Sequence, residues 1–496
     1  MNFVQMLFFA YMMISYILGA IISLTIILEN RDPAKTVTWL MIFVLLPGVG
    51  IIIYIIFGRN IRKLKMLRTQ KLANDIKEQN LFENLKEIEN IIKSERANEL
   101  LERVIEEKKE SYTQKKIIKL LLNTGTMPFT INNDVKIYKN GIEKFKDLLE
   151  DINNAKETIN LEYFIIKESE IGNKVKDALI AKAKQGVKIK ILYDDVGCWR
   201  FRIRSKFLKE MKKNNIEVKP FIPNRFPILI GKLNYRNHRK IVVIDGSIGY
   251  TGGINIGDEY IGKNKKFGYW RDTHLRIKGS SVYVMQMTFL TDWYYTTKQI
   301  IPTDIYFPKL EDVGDCMVQV VASGPDSDWE AIHYAYFTAI CQAKQKIYIE
   351  TPYFIPDESI LKALKSAALS GIDVRIVFPK IADHKIVNSA SYSYFGEILK
   401  AGGKVYLYEK GFIHSKVIII DNCVASAGSA NMDLRSFMLN FEMNAFIYDK
   451  KSIQKMEQDF LQDLQYSKEL KIQDYENRKI GVKIIESINR LFSPIL

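Results

Sequence analysis

The sequence predicts an α/β protein of two similar lobes, each with a mixed sheet flanked by helices, preceded by an N-terminal hairpin of two transmembrane helices. Three observations support this class. Two long uncharged segments open the chain. The remainder alternates strand-like and amphipathic helical segments. One pattern, HRKIVVID at 238–245, returns as HSKVIIID at 414–421, and such self-similarity indicates an internal duplication.

Size and charge narrow the class further. A chain of 496 residues exceeds one average core, so two or three structural units are expected. The formal net charge of +15 indicates an anionic partner, either an acidic lipid surface or a nucleic acid, although a solvated lysine-rich surface explains much of such an excess. The 4 cysteines are scattered without metal-finger spacing, which fits a reducing compartment.

Residues 1–58 are predicted to form the transmembrane hairpin. Residues 3–28 are uncharged and would reach about 39 Å as a helix, enough to cross a bilayer with some tilt. Residues 37–57 form the second uncharged segment, in which membrane surroundings would tolerate Pro47 and Gly48. A signal peptide is the alternative for the first segment and a buried helix for the second, but no basic start or cleavage site is present.

Residues 59–125 are predicted to be a basic juxtamembrane segment followed by a solvated helical linker. Six basic residues follow the second apolar segment with no acidic residue among them: Arg59, Arg62, Lys63, Lys65, Arg68 and Lys71. The positive-inside rule then places everything after residue 58 in the cytoplasm. The cluster would also attract anionic headgroups, although anchorage alone explains it.

Residues 126–308 and 309–496 are predicted to be the two lobes. Each lobe shows the order strand, helix, strand before its copy of the motif: residues 157–166, 172–186 and 187–194, then residues 345–355, 358–371 and 372–380. The runs of Val and Ile inside both motifs predict buried central strands.

The repeated motif supplies the candidate catalytic residues. On a strand, residues i and i+2 project from one face, so the histidine and lysine of each copy would enter one pocket. The aspartates would stand at the strand ends. The residues predicted to be catalytic are His238, Lys240, Asp245, His414, Lys416 and Asp421. A lone histidine of this kind is more often a core residue, but two copies in matching surroundings favour function.

The residues after each motif repeat as well, as TGGIN and AGSAN. We predict that Asn255, Ser429 and Asn431 either contact a phosphate group or support the residues that do. Imidazole, ammonium and amide together suit phosphoryl chemistry: lysine and asparagine neutralise the non-bridging oxygens, one histidine attacks phosphorus, and the other moves the proton of the alcohol. Because the lysines supply the positive charge, no metal ion or cofactor is expected.

At these residues the chain resembles the phospholipase D superfamily, whose signature is a paired H-x-K-x₄-D. The resemblance covers about residues 126–496. It implies two lobes meeting at a pseudo-twofold interface, with His238 as nucleophile and His414 as general acid and base, a choice that the sequence itself does not make. It also implies a carboxylate that orients each histidine, Asp272 in the first half and Glu442 in the second, where a surface acid is the alternative.

A narrower resemblance is to bacterial cardiolipin synthases. It rests on LPGVGIIIYIIFGRN after the apolar segments, on SANMDLRSFMLNFEMN around the second motif and on the C-terminal RLFSPIL. It implies that two phosphatidylglycerol molecules condense to cardiolipin and glycerol through a phosphatidyl-histidine intermediate at an anionic membrane, with no nucleic acid partner. One departure is Gly253, where the second copy has Ser429. If that hydroxyl contacts phosphate, the two halves are unequal.

Three other functions stay open. The enzyme could use water, as a hydrolase, or another alcohol such as serine. It could be a phosphodiesterase acting on nucleic acid, which the membrane-proximal position of much of the charge disfavours. It could be a non-catalytic membrane scaffold, which the intact motifs disfavour. Residues 220–231 are apolar and rich in proline, and we interpret them as a lip that enters the bilayer interface, with a buried connection as the alternative.

Overall fold

The computed structural model describes residues 3–28, 33–54, 112–125, 127–199, 206–221, 235–299, 301, 305–309 and 312–493. The basic cluster after residue 58, most of the predicted linker and most of the predicted lip lie outside these residues. The chain divides into two compact units, one built on the helices of residues 3–54 and the other on residues 112–221 and 236–493.

The N-terminal unit contains the helices α1 (Phe3–Leu28), α2 (Pro33–Leu45) and α3 (Val49–Ile53). Among the described helices, α1 is the one long and apolar enough to cross a membrane, with 26 residues and a hydropathy of 2.1. Phe43 and Tyr54 are buried and their rings meet edge to face at 5.5 Å. The Tyr11 hydroxyl donates to the Pro47 carbonyl at 3.2 Å, so α1 packs on the helices that follow it.

The predicted two-helix hairpin is not confirmed, because the second apolar segment is interrupted. Helix α2 has 13 residues and α3 has 5, and both are too short to span a bilayer. The break falls at Leu46–Gly48. Pro47 has no amide hydrogen for the helical ladder and its ring clashes with the preceding turn. Gly48 adopts φ +80°, a left-handed conformation that ends a helix.

The C-terminal unit begins with the elements of the first half. Its helices are α4 (Tyr112–Thr124), α5 (Gly141–Asn154), α6 (Glu170–Lys184), α7 (Lys206–Lys213), a 3₁₀ turn (Asp258–Ile261) and α8 (Val282–Thr297). Its strands are β1 (Phe129–Tyr138), β2 (Thr158–Tyr163), β3 (Lys188–Asp194), β4 (Glu217–Phe221), β5 (Ile241–Ile244), β6 (Ile248–Gly252), β7 (Tyr269–Arg271) and β8 (His274–Gly279).

The second half repeats this set. Its helices are α9 (Ala331–Cys341), α10 (Glu358–Leu369), α11 (Lys385–Lys400), α12 (Leu434–Met438), α13 (Lys450–Gln465), α14 (Ile472–Glu476) and α15 (Ile480–Leu491). Its strands are β9 (Cys316–Ser323), β10 (Lys346–Glu350), β11 (Phe354–Ile355), β12 (Asp373–Pro379), β13 (Lys404–Tyr408), β14 (Gly411–Ile413), β15 (Val417–Ile420), β16 (Val424–Gly428), β17 (Met432–Asp433), β18 (Glu442–Ile447) and β19 (Ser467–Glu469).

The two halves share one mixed sheet. Within the described residues it has 15 strands in the order β19-β13-β12-β10-β15-β16-β18-β9-β1-β8-β6-β5-β2-β3-β4. Reading outward from the antiparallel pair β1 and β9, the order 1-8-6-5-2-3-4 matches 9-18-16-15-10-12-13 position by position. The α/β class and the internal repeat are therefore confirmed. The separate sheets expected for the lobes are joined edge to edge into one.

The predicted elements form for local reasons. The helix predicted over 172–186 is α6, which Ser169 caps by accepting the Gly172 amide at 3.2 Å. It ends before Gly186, whose φ of +94° favours glycine. Strands β5 and β15 are the Val and Ile runs of the two motifs, and every residue in them is buried. Burial on both faces explains the continuous apolar pattern.

The end of the predicted linker is not solvated. In α4, Ile117, Ile118 and Leu121 are fully buried and join the core of the second half. The Gln114 side chain donates to the Cys423 carbonyl at 2.7 Å. Apolar residues at helical spacing form one face of α4, and the second half provides the surface that covers it.

Candidate active site

His238 lies against the start of strand β18. Its amide donates to the Phe441 carbonyl at 2.9 Å, which aligns the segment before β5 with the segment before β18. The next residue, Glu442, is fully buried, and His238 Nδ1 is 3.0 Å from each of its carboxylate oxygens. Asn440 Nδ2 donates to the same carboxylate at 3.2 Å. A carboxylate on Nδ1 fixes the proton there and leaves the Nε2 lone pair available.

His414 occupies the matching position in the other half. It follows β14, which pairs in parallel with β7, and its amide donates to the Arg271 carbonyl at 2.7 Å. The next residue of that segment is Asp272, whose Oδ2 lies 2.8 Å from His414 Nδ1. Asp272 is fully buried and its Oδ1 accepts the Thr273 amide at 2.8 Å. Both imidazoles therefore present Nε2 away from their carboxylates.

The two carboxylates are exchanged between the halves. The first-half histidine, His238, contacts Glu442 of the second half, and the second-half His414 contacts Asp272 of the first. The sequence offers one carboxylate in each half but does not show this crossing. Because each imidazole is held by the opposite half, neither half contains a complete oriented histidine by itself.

Each lysine bonds the backbone carbonyl of its own histidine, and Lys416 also lies against the imidazole, with Nζ 3.0 Å from His414 Nδ1 and 3.1 Å from Nε2. Lys240 Nζ donates to the His238 carbonyl at 2.6 Å, and Lys416 Nζ donates to the His414 carbonyl, also at 2.6 Å. Both side chains are buried. The pKa of Lys240 is lowered to about 7, chiefly by burial; Glu442 opposes this shift and the charge of Lys416 adds to it. The two motifs therefore lie close enough for their charges to interact.

The histidines are held in their neutral form. Burial lowers the pKa of His238 to about 4, against the attraction of Glu442 and with the repulsion of Lys240 and Lys416. Burial also lowers the pKa of His414, with Lys416 acting in the same direction and Asp272 against it. A neutral imidazole keeps its Nε2 lone pair, which a nucleophile requires.

Comparison with known proteins identifies the family. The family described as "Cardiolipin synthase, PLD-like domain" matches residues 148–274 and 336–464, and one described as phospholipase D-nuclease N-terminal matches residues 17–59. The chain belongs to the cardiolipin synthase family. A cardiolipin synthase of Geobacillus sp. (strain WCH70) is 43% identical over 96% of this chain and 91% of its own. The major cardiolipin synthase ClsA of Bacillus subtilis (strain 168) is 42% identical over 97% and 98%.

Solved structures agree on the fold. A phosphatidylserine synthase of Haemophilus influenzae, 17% identical, covers 77% of this chain and 100% of its own with a TM-score of 0.59. The predicted membership of the phospholipase D superfamily and the predicted enzyme class, a phosphatidyltransferase of this type, are confirmed. Family membership and helix α1 together indicate a membrane-associated protein.

In each copy of the motif, a strand separates the histidine and lysine from the aspartate. Asp245 and Asp421, predicted to be catalytic, follow β5 and β15 at the ends remote from the histidines. Four strand residues separate Lys240 from Asp245, which is about 16 Å along an extended chain. Asp245 accepts the amides of residues 156–158 at 2.8–2.9 Å, and Asp421 accepts those of residues 344–346 at 2.8–3.3 Å. The structure places both as turn anchors outside the site.

Of the two roles predicted for Ser429, phosphate contact or support, the structure shows a supporting contact to a carboxylate. Its hydroxyl donates to Glu442 Oε2 at 2.5 Å and accepts the Met443 amide at 2.9 Å. At the matching position, a side chain on Gly253 would place its Cβ 2.0 Å from Asp272 Oδ1. Aspartate is one methylene shorter than glutamate, so its carboxylate occupies the space that a serine would fill. The first motif therefore has glycine at position 253, where the second has Ser429, because the Asp272 carboxylate needs that space.

We expect Gly253→Ser to lower turnover by roughly one to two orders of magnitude, because overpacking here displaces Asp272 from His414. Steady-state transfer rates would measure the loss. Gly481→Ala is the matched control, since no atom lies within 4 Å of the added Cβ. Full activity in Gly253→Ser would show that Asp272 needs no fixed position.

The two predicted asparagines differ. Asn255 uses both ends of its amide inside the first half: Oδ1 accepts the Ile165 amide at 3.2 Å and Nδ2 donates to the Tyr260 hydroxyl at 2.9 Å. Asn431 is buried, and among the described residues its Oδ1 has no hydrogen-bond partner. Asn431 Oδ1 can therefore accept a hydrogen bond from a hydroxyl of a ligand, whereas both ends of the Asn255 amide are occupied.

Two arginines that were not among the predicted site residues bond the backbone of Glu442 and Asp272. Arg239 Nε donates to the Glu442 carbonyl at 3.2 Å and its guanidinium pairs with Asp292 of α8. Arg271 Nη1 donates to the Asp272 carbonyl at 2.8 Å and its Nε pairs with Asp463 of α13 at 2.6 Å. Each arginine thereby fixes the backbone of the residue that orients a histidine.

A buried glutamate stands behind each motif as well. Glu162 is the second-last residue of β2, and Glu350 is the last residue of β10, the equivalent strand of the second half. Burial raises the pKa of Glu350 to about 8, against the attraction of Arg271. Burial likewise raises the pKa of Glu162. The recurrence of glutamate in NLEYF and YIETPYF is a signal of the repeat that could have found this pair.

Proposed function

We propose that this chain makes cardiolipin from two molecules of phosphatidylglycerol and releases glycerol. The observation that supports it is the pair of imidazoles, His238 and His414, each bonded to a carboxylate of the opposite half, in a chain 43% identical to a cardiolipin synthase. One phosphorus between the two Nε2 atoms would be attacked from one side while its leaving oxygen is protonated from the other.

In the first step, His238 Nε2 attacks the phosphorus of a phosphatidylglycerol. A P–N bond forms and the P–O bond to the headgroup glycerol breaks, so the phosphatidyl group is carried on His238. His414 gives a proton to the departing oxygen. The anionic phosphate, placed beside His414 together with Asp272, favours the protonated imidazole that this step needs.

In the second step, the terminal hydroxyl of another phosphatidylglycerol replaces glycerol. His414 takes the proton of that hydroxyl, a new P–O bond forms, and the P–N bond breaks. The product is cardiolipin, and His238 is regenerated. Both steps use the same in-line geometry, so the residues that serve the first also serve the second. Exclusion of water from the buried site favours the lipid alcohol.

Lys240 and Lys416 neutralise the non-bridging oxygens in both steps. Their ammonium groups are buried and fixed by backbone carbonyls, so they lose little order when charge develops on the phosphoryl group. Asn431 Oδ1, an acceptor, is available to a hydroxyl of the headgroup glycerol. Ser429 and Glu442 keep His238 in line.

We expect kcat/KM to fall as the pH rises through 7 to 8. The pKa of Lys240 is lowered to about 7 and that of Lys416 to about 8 by burial, so the free enzyme loses these charges there and binds phosphate less well. Below pH 7 both lysines are charged. A pH profile of kcat/KM would measure this. A profile that stays level to about pH 9, as ordinary lysines would give, contradicts it.

Product analysis tests the proposed reaction. The purified full chain is placed in vesicles of phosphatidylglycerol that is labelled in its acyl chains and in its terminal glycerol, with a chelator present. We expect the acyl label to appear in cardiolipin and one glycerol to be released for each cardiolipin formed. Phosphatidic acid as the main product would show a hydrolase instead, and added serine consumed into lipid would show a different acceptor.

We also propose that residues 1–58 anchor the chain by two passes, the second one bent at Pro47, and that 59–125, 126–308 and 309–496 are linker and two lobes in the cytoplasm. The six basic residues after residue 58 support the orientation. Cys341 is exposed and native. A membrane-impermeant maleimide should label it only after permeabilisation, and Cys341→Ser should remove the signal. Labelling in intact spheroplasts would contradict this topology.

A further inference from the structure

Helix α15 turns its apolar face away from the protein. Its exposed fractions are 73% for Ile480, 51% for Ile484, 57% for Ile485, 50% for Ile488 and 78% for Leu491. At 3.6 residues per turn these five side chains lie on one side of the helix. No charged residue occupies that side. A helix that belonged only to a soluble domain would turn this stripe toward the core.

The opposite side of α15 is polar and fastens the helix to α11. Arg490 pairs with Glu397 at 2.7 Å and lies over the Tyr394 ring at 4.1 Å. The Tyr394 hydroxyl donates to Ser493 Oγ at 2.9 Å. Glu486 is buried against Arg478 at 2.7 Å. Polar contacts thus hold α15 in place, which leaves its aliphatic face as a formed and uncovered surface.

The charges around this face are basic. Between residues 478 and 490, Arg478 and Arg490 are balanced by their ion pairs with Glu486 and Glu397, which leaves the positive charges of Lys479 and Lys483 beside the stripe. An aliphatic stripe bordered by lysine and arginine is the composition of a helix that lies in the surface of an anionic bilayer.

We propose that α15 is a second membrane contact of this chain, separate from α1, and that its aliphatic face lies in the headgroup and acyl boundary of an anionic bilayer. A second copy of the chain is the competing occupant. A helix of 12 residues is about 18 Å long and about 10 Å wide, so its face offers on the order of 200 Å² against about 800 Å² per partner in a stable dimer. The lipid surface needs no such area, because α1 already holds the chain nearby.

Spin-label accessibility tests this placement without relying on turnover. In a Cys341→Ser background, which removes the exposed thiol, the full chain carries a label at Ile484→Cys or at the exposed polar control Gln465→Cys. The chain is reconstituted in vesicles of phosphatidylcholine and phosphatidylglycerol. We expect oxygen to reach the label at 484 several-fold better than a water-soluble nickel complex, and the reverse at 465. Equal access of nickel to both positions would overturn the proposal.

Activity gives an independent readout. The double variant Ile484→Glu/Ile488→Glu should transfer phosphatidyl groups at least tenfold more slowly in vesicles, yet match the parent on the same lipid in detergent micelles. Ser487→Glu, on the same helix beside the stripe, should leave both activities unchanged. Unchanged vesicle activity in the double variant would overturn the membrane role. Spin–spin broadening at 484 that unlabelled chain dilutes away would assign the face to a second copy instead.

Discussion

His238→Ala and His414→Ala should each lower phosphatidyl transfer by at least about four orders of magnitude. Removal of the nucleophile abolishes the covalent path, and removal of the proton donor leaves the glycerol alkoxide to depart without a proton. We expect neither role to pass to another histidine. His274 is fully buried and its Nδ1 accepts the Ile254 amide at 3.4 Å, and His333 pairs with Asp357. Single-turnover and steady-state rates with labelled phosphatidylglycerol measure the losses.

His384→Ala is the control for these variants. Its side chain is 70% exposed and lies at the start of α11, so its loss should leave turnover within a factor of about two. Circular dichroism and thermal unfolding verify that the inactive variants are folded. If either motif variant kept more than about a hundredth of the parent rate, the corresponding histidine would not act on the phosphorus.

Glu442→Gln should have the second largest effect, a loss in kcat of about two to four orders of magnitude with little change in KM. The carboxylate accepts bonds from His238, Ser429 and Asn440. In the glutamine variant, an NH2 group replaces a carboxylate oxygen that now accepts hydrogen bonds. The variant also loses the negative charge that raises the pKa of His238. The nucleophile becomes weaker and loses its orientation.

The crossing of the carboxylates makes this prediction specific. Although Glu442 belongs to the second half, its loss should slow formation of the lipid–enzyme adduct, the step of first-half His238. Asp272→Asn should instead slow proton transfer by His414, and a substrate whose leaving alcohol is more acidic should restore part of its rate. Glu358→Gln, at an exposed carboxylate with a side chain 79% accessible, is the control. The opposite assignment of steps would contradict the exchanged pairing.

The sequence predicts what local pattern encodes. The Val and Ile runs of β5 and β15 and the helix that ends before Gly186 each lie within one short segment, and the structure has them as expected. The histidine and lysine of each motif, predicted to lie on the strand, precede it, because β5 begins at Ile241 and β15 at Val417. The duplication also follows from sequence, since the two motifs align. The strand order shows the repeat again, with matching positions on either side of β1 and β9.

The remaining features depend on which distant segments pair. The exchange of Glu442 and Asp272 follows from the contacts of His238 with Phe441 and of His414 with Arg271, which no local pattern contains. The motif aspartates misled the sequence interpretation because spacing does not show which end of a strand faces the site. The sequence left two roles open for Ser429 because its neighbour in space, the Glu442 carboxylate, lies 13 residues away along the chain.

Isolation of the covalent intermediate tests the central claim most directly. The His414→Ala variant is mixed with acyl-labelled phosphatidylglycerol, quenched and digested, and the labelled peptide is sequenced by mass spectrometry. We expect a phosphatidyl group on the His238 side chain in this variant, and none in His238→Ala treated in the same way. Label on another residue, or cardiolipin formed at the parent rate by His238→Ala, would contradict attack by His238 on a phosphorus shared with His414.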